Sequence, residues 1–130
     1  ENKGVPDFMG AFLSCGPVAF DAKETNKGTR FPLEKIEPEQ YDWLKEAKAQ
    51  RWVVFTIHYF AETDKAFLLP FEVLARFYEP WRQFGGRKVP ASIPEDVFEV
   101  EAYRIRPGRA IVLDYKAALD EYLQQREAGA

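Results

Sequence analysis

Residues 52–60, WVVFTIHYF, form the stretch that most limits what this chain can become. Almost every side chain in it is aromatic or β-branched, and no polar residue recurs at every second position. A strand that faces water on one side alternates polar with apolar, whereas a strand covered on both sides does not. Residues 52–60 therefore predict a central strand. The acidic turn Glu62-Thr63-Asp64 leads from it into a partner strand, KAFLLPF. Helical patterns lie on either side. Residues 38–50 place Pro38 at the first helical position with acids in the first turn. In residues 71–84, Phe71, Leu74, Tyr78 and Trp81 recur near helical spacing, with Pro80 expected to kink or end the helix and Gly85-Gly86 to stop it. A last strand is expected over residues 99–105, EVEAYRI, and a closing helix capped by Asp114 runs through YKAALDEYLQQR. Strands interleaved with helices predict an α/β fold, a mixed central β-sheet flanked by helices.

The N-terminal part supplies two further strands, DFMGAFL (7–13) and VAFDAKE (18–24), joined by Ser14-Cys15-Gly16-Pro17 as a hairpin turn. After them TNKGTRFPLEKI reads as a loop, as does the basic, proline-spaced RKVPASIP at 87–94. Because strand side chains alternate, Asp21 and Lys23 share one face. Asp7 joins that face only if opposite residues of the hairpin have an even pairing sum. A two-residue Cys15-Gly16 turn gives an odd sum. A three-residue turn, Ser14-Cys15-Gly16, pairs Leu13 with Pro17 and Asp7 with Lys23, leaving Asp21 on the same face, so an odd-length loop or a bulge is expected.

Two carboxylates and a lysine so placed suit metal-assisted phosphodiester cleavage. Hard oxygen ligands hold Mg²⁺, which lowers the pKa of an attacking water, and an ammonium offsets charge building on the phosphate. D-x-K triplets are common, however, and by itself this one is more simply read as a solvated strand face with a surface ion pair. Gln40 lies on the face of its helix expected to turn inward, where an amide needs a partner; a first-turn Gln that caps a backbone group is the ordinary alternative. His58, among Val and Phe on a strand, reads as a packed structural side chain, and Glu39 as a helix-start charge.

The chain has 130 residues, 46% of them hydrophobic, enough for one domain with its own core, so residues 1–130 are expected to form a single domain. No run approaches a membrane span, and the lone Cys15 forms no internal disulfide, so a cytoplasmic protein is expected. The net charge of −3 disfavours coating of nucleic acid by bulk electrostatics, although metal-holding carboxylates lower a computed charge without repelling DNA once the cation is bound. DNA contacts, if made, must then come from local basic patches, Lys27 and Arg30 in the loop after Lys23 and Arg87-Lys88 after the Gly-Gly pair, each of which reads equally as a solvated charge on a loop.

DFMG, FDAKET, TRFPL and Gln40 on the next helix, followed in order by the apolar strand, LLPFE, GGRK and EAYRI, resemble the RecU family of Holliday junction resolvases from residue 5 onward. The resemblance implies a restriction-endonuclease-like fold and metal ligation by Asp7, Asp21 and Gln40. Lys23 would be the transition-state stabiliser, with Mg²⁺ as cofactor and Mn²⁺ as its substitute. It also implies a homodimer acting on four-way junction DNA, with a recombinase as a further candidate partner. Family members usually carry Glu where this chain has Asp21, which shortens the reach of that carboxylate by one methylene. They also carry an N-terminal basic segment, and the sequence starting at Glu1 is expected to lack it. Two other functions remain open on the residues alone: a nuclease acting on duplex, flap or mismatched DNA, and a catalytically inert DNA-binding or recombination scaffold.

Overall fold

A computed structural model of the chain describes residues 8–12, 16–106 and 116–128. Its main sheet has five strands in the order β1-β2-β4-β5-β7: β1 Phe8–Phe12, β2 Gly16–Thr25, β4 Val53–Phe60, β5 Lys65–Pro70 and β7 Tyr103–Ile105. Only β2 and β4 run parallel among neighbouring pairs, from Val18↔Val53 to Thr25↔Phe60. A parallel pair needs a crossover, here the helix α1 Pro38–Ala49. In β4, the strand that the sequence marks as central, every residue is buried except half-buried Tyr59.

The two faces of the sheet separate cleanly by register. Ala19, Asp21, Lys23 and Thr25 of β2 share a side with Val54, Thr56, His58 and Phe60 of β4. That side is covered by α1, by α2 Phe71–Phe84 and by α3 Glu95–Glu101, through Leu44, Leu74, Tyr78 and Phe98. Val18, Phe20, Phe55 and Ile57 face the other way, against Ala118, Leu119 and Tyr122 of α4 Lys116–Ala128. The fold is of the restriction-endonuclease-like class, a mixed sheet between helices.

Several local features differ from the pattern expected from sequence. Pro80 neither ends nor divides α2, which continues to Phe84 and stops at Gly85, whose φ of +82° suits glycine. Residues 99–105 are not one strand. Pro94 and the acids Glu95 and Asp96 start the short helix α3, which turns Phe98 into the core, and only Tyr103–Ile105 is extended. The stretches read as two loops each contribute a two-residue strand, β3 Phe31–Pro32 and β6 Ser92–Ile93, which pair with each other. A 3₁₀ turn, Leu33–Lys35, follows β3. The β1–β2 pairing sum is even, as in Phe8↔Phe20, but Pro17 pairs with Ala11 because Gly16, at φ +78°, already begins β2. Asp114 lies outside the described residues.

Aromatic packing holds α1 against α2. The Tyr41 ring stacks on Tyr78 at 4.2 Å and on Phe71 at 5.2 Å. Tyr41 Oη donates to Glu79 at 2.6 Å, and buried Tyr78 Oη donates to the Ile36 carbonyl at 3.1 Å. The fork of Arg82 on Asp42, at 2.6 and 3.1 Å, is exposed and worth at most about 1 kcal/mol. These contacts pack α1 against α2, and Gln40 lies in the first turn of α1.

Phe98 is fully buried and packs on Phe60 and Phe67 at ring distances of 5.0 and 5.5 Å. Phe98→Ala should therefore cost roughly 3–5 kcal/mol in urea unfolding, whereas a loss under about 1 kcal/mol would contradict its core position.

Candidate functional site

β2 carries the residues singled out by sequence. Asp21 is fully buried and Lys23 half-buried, on the side of the sheet that α1 covers. Gln40, half-buried in the first turn of α1, accepts a hydrogen bond from Lys23 Nζ at 3.2 Å. The inward turn of Gln40 and its need for a partner thus have a structural counterpart, though the partner is the lysine ammonium. Asp7 lies outside the described residues. β1 enters the described part opposite Phe20, one pair short of Asp21.

The structure draws the two predicted basic loops together. Lys27, Arg30, Arg87 and Lys88 are all exposed. Arg30 Nε donates to Ser92 Oγ at 2.8 Å, Phe31 pairs with Ile93, and the Leu33 amide donates to the Ala91 carbonyl at 2.9 Å. The segment that follows Lys23 and the segment that follows Arg87-Lys88 are thereby stitched into one small sheet. Lys35 adds a cation that the sequence pattern does not single out. Its Nζ donates to the Glu24 carbonyl at 2.8 Å, tying the 3₁₀ turn to the end of β2. Glu39 is exposed, as expected of a helix-start charge.

β4 sets two polar side chains behind these groups. Thr56 is the register partner of Asp21, and His58 that of Lys23. Both are buried, and the Thr56 hydroxyl oxygen lies 2.7 Å from His58 Nε2. The His58 ring packs between Phe31 and Phe98, at 4.4 and 5.0 Å. Burial, reinforced by the nearby Lys23 and Lys35 ammonium groups, pushes its pKa down to about 3, so the imidazole is neutral. The packed character expected of His58 holds, but its neighbours are the polar residues of the site. Parallel pairing across a long connection is what puts it there.

The donors suit a hard divalent cation: a carboxylate from Asp21 and an amide oxygen from Gln40, gathered on one face. Among the described residues no group of three His, Cys, Asp or Glu side chains could hold a metal ion by itself. The expected ligand set draws on an amide and on Asp7 instead.

A mixed sheet of this order, with an acid and an amine on one strand and an amide on the following helix, belongs to the restriction-endonuclease-like class of folds. The family sequence profile of RecU, described as Recombination protein U, matches residues 1–121. The Holliday junction resolvase RecU of Pediococcus pentosaceus is 34% identical over 107 residues, 82% of this chain and 51% of that protein. Its counterpart from Limosilactobacillus fermentum is 35% identical over 111 residues, 85% of this chain and 51% of that protein. The Bacillus subtilis RecU is 32% identical over 113 residues, 87% and 52% of the two chains. The chain belongs to the RecU family, and it spans about half the length of the curated relatives it matches. No helix among the described residues is long and apolar enough to cross a membrane.

The neutral His58 has a consequence for stability. Its folded pKa is below the ordinary 6.5, so between about 6.5 and 3 the unfolded chain binds a proton that the folded chain does not. Stability is therefore lost as pH falls through that window and is unaffected above it. Between pH 7.5 and 5, urea unfolding should show wild type losing roughly 2 kcal/mol more than His58→Phe. Equal losses would show that the ring takes up a proton without unfolding.

Proposed function

We propose that this chain is the catalytic part of a Mg²⁺-dependent endonuclease that resolves four-way DNA junctions by paired, symmetric nicks, one from each subunit of a homodimer. The observation that carries this reading is the contact of Lys23 with Gln40 on the face that holds buried Asp21. Membership of the RecU family supports it, as do relatives named Holliday junction resolvases. Two-fold symmetry suits the task, because two opposed strands of like polarity must be cut.

In this reading Asp21, Gln40 and Asp7 hold the cation. When bound, Mg²⁺ supplies positive charge to the scissile phosphate and lowers the pKa of the attacking water. Lys23 faces the charge that builds on the phosphate oxygens. Its hydrogen bond to Gln40 restricts a side chain that otherwise samples many rotamers, so less ordering remains to be done when the phosphate arrives. The stitched loops bring Lys27 and Arg30 into one unit with the chain that follows Arg87 and Lys88, and we assign these four to the DNA backbone, as local attraction in a chain of net charge −3. Mn²⁺ should replace Mg²⁺, since both accept hard oxygen ligands. A recombinase is a candidate partner, and the cytoplasm the compartment.

The test is a cleavage assay on a labelled four-way junction with and without Mg²⁺, with linear duplex at the same salt as the comparison. Lys23→Ala should abolish cutting while leaving junction binding largely intact, and Asp21→Asn should remove the metal-dependent reaction. Equal loss of binding and cutting in Lys23→Ala would contradict its role. Undiminished activity in Asp21→Asn would refute the metal site. Since one nuclease site can serve many substrates, faster nicking of duplex than of junction would move the assignment to another DNA shape. Junction binding without product in Mg²⁺ or Mn²⁺ would leave a scaffold.

A further inference from the structure

Antiparallel contacts fix where the end of α2 lies. Lys48 meets Glu72 at 3.1 Å, Lys45 meets Glu79 at 3.1 Å, and Arg82 forks onto Asp42, so residue numbers rise along α2 as they fall along α1. Two residues beyond the last of these pairs come Phe84 on α2 and Gln40 on α1, each about 3 Å further along its helix axis. Phe84 therefore stands level with Gln40, at the end of the sheet where Lys23 meets that amide.

Among the described residues, Phe84 and Val100 are the large apolar side chains left exposed, Phe84 at 53%. One exposed phenyl ring is ordinary on a protein surface; the company of this one is not. Trp81 and Phe77, one and two turns earlier on that side of α2, pack against the core cluster, and Phe84 lies outside it. Gly85 then ends the helix, and the Lys88 amide donates back to the Gly85 carbonyl at 3.4 Å, so a tight turn sets exposed Arg87 and Lys88 directly after the ring. A Cβ on Gly86 would meet Ala91 Cβ at 3.2 Å and Trp81 Nε1 at 3.8 Å, which shows the loop closing on the last turn of α2 before Ser92 takes its bond from Arg30. Ring and basic loops are thus one connected surface. Among the described residues neither Arg87 nor Lys88 has an acid partner, whereas Arg76 and Arg82 on α2 are held by Glu101 and Asp42.

We propose that Phe84 is a stacking platform for an unstacked nucleobase at the branch point of the DNA, with Arg87 and Lys88 on the phosphates beside that base. This deepens the reading above and rests on it. An aromatic face set next to unneutralised cations suits splayed or single-stranded nucleic acid, because the ring offers a surface to a base while the cations follow its backbone. In continuous duplex every base is already covered by its neighbours, so the ring gains nothing there. Where strands exchange at a four-way branch point, a base that opens loses that cover. The basic residues cannot tell the two DNAs apart, since phosphates are common to both. Phe84 can, and it does so without touching the reacting atoms.

Fluorescence anisotropy of the full chain with a labelled four-way junction and with linear duplex, at one salt concentration and with Mg²⁺ omitted so that neither is cut, tests this. Phe84→Ala should lower the ratio of junction to duplex affinity roughly 10-fold, and Phe84→Leu, apolar but without an aromatic face, should lower it as well. Phe84→Trp should restore the ratio. Arg87→Ala should weaken both complexes and leave the ratio in place. Irradiating a junction that carries iodouracil beside the branch point should cross-link that base to Phe84, as located by mass spectrometry; the same adduct from iodouracil inside a duplex arm would overturn the proposal. A wild-type ratio in Phe84→Ala, with wild type still preferring the junction, overturns the stacking role and leaves the junction reading standing. Wild type that binds the two DNAs equally overturns that reading and the stacking with it. Sedimentation of the free protein guards against a subunit contact: a smaller assembly in Phe84→Ala than in wild type would assign the ring to the partner copy and overturn the proposal.

Discussion

The parallel pairing of β2 with β4 is the constraint on which the rest of the structure depends. Hydrogen bonding the two strands in the same direction obliges the chain to leave the end of β2, cross one face of the sheet and re-enter at the start of β4. The crossing element is α1, so its first turn begins near the carboxyl end of β2, where Lys23 stands. The connection that makes the sheet possible therefore also delivers Gln40 to Lys23. Ligands of open α/β sheets gather at the carboxyl ends of parallel strands for the same geometric reason.

Burial then separates what this face can hold. Among the described residues, four polar side chains are buried: Asp21, Thr25, Thr56 and His58. All four lie on β2 or β4 and on the same side of the sheet. The other buried side chains of that side are aromatic or aliphatic, with Phe60, Phe67, Phe98 and Leu69 fully buried. Burying a polar group is costly unless hydrogen bonds compensate, so scattered polar residues would destabilise a core of this size. Gathered on adjacent strands, they can satisfy one another, as Thr56 and His58 do at 2.7 Å. The polar cluster is thus confined to the place where charge is useful, and the aromatic shell around His58 keeps that ring neutral beside two ammonium groups.

Much of this was legible in advance where the signal is local. The apolar run of β4, the proline and acids at the start of α1, the glycine stop after α2 and the shared face of Asp21 and Lys23 all follow from short-range periodicity and cap chemistry. Residues 99–105 misled because Glu-Val-Glu-Ala-Tyr alternates like a strand, while the helix start that governs its first half lies upstream at Pro94-Glu95-Asp96. Pro80 was expected to disturb α2, yet the helix runs on, held by Tyr78 and Phe71 against Tyr41. Thr56 and His58 carry no motif, and nothing in their neighbourhood along the chain connects them with Asp21 or Lys23.

By itself, the sequence determined the identity and face of the chemical groups, because strand alternation and helix caps act over a few residues and are written in consecutive letters. It also carried the family, through several short motifs in a compatible order. Only the tertiary structure decided which strand lies beside β2 and in what register, that Lys23 donates to Gln40, that Arg30 is tied to Ser92, and that a threonine and a histidine stand behind the acid. These are contacts between segments far apart in the chain. They are selected by the shared burial of whole faces, a free-energy balance summed over the molecule that no short stretch of residues contains.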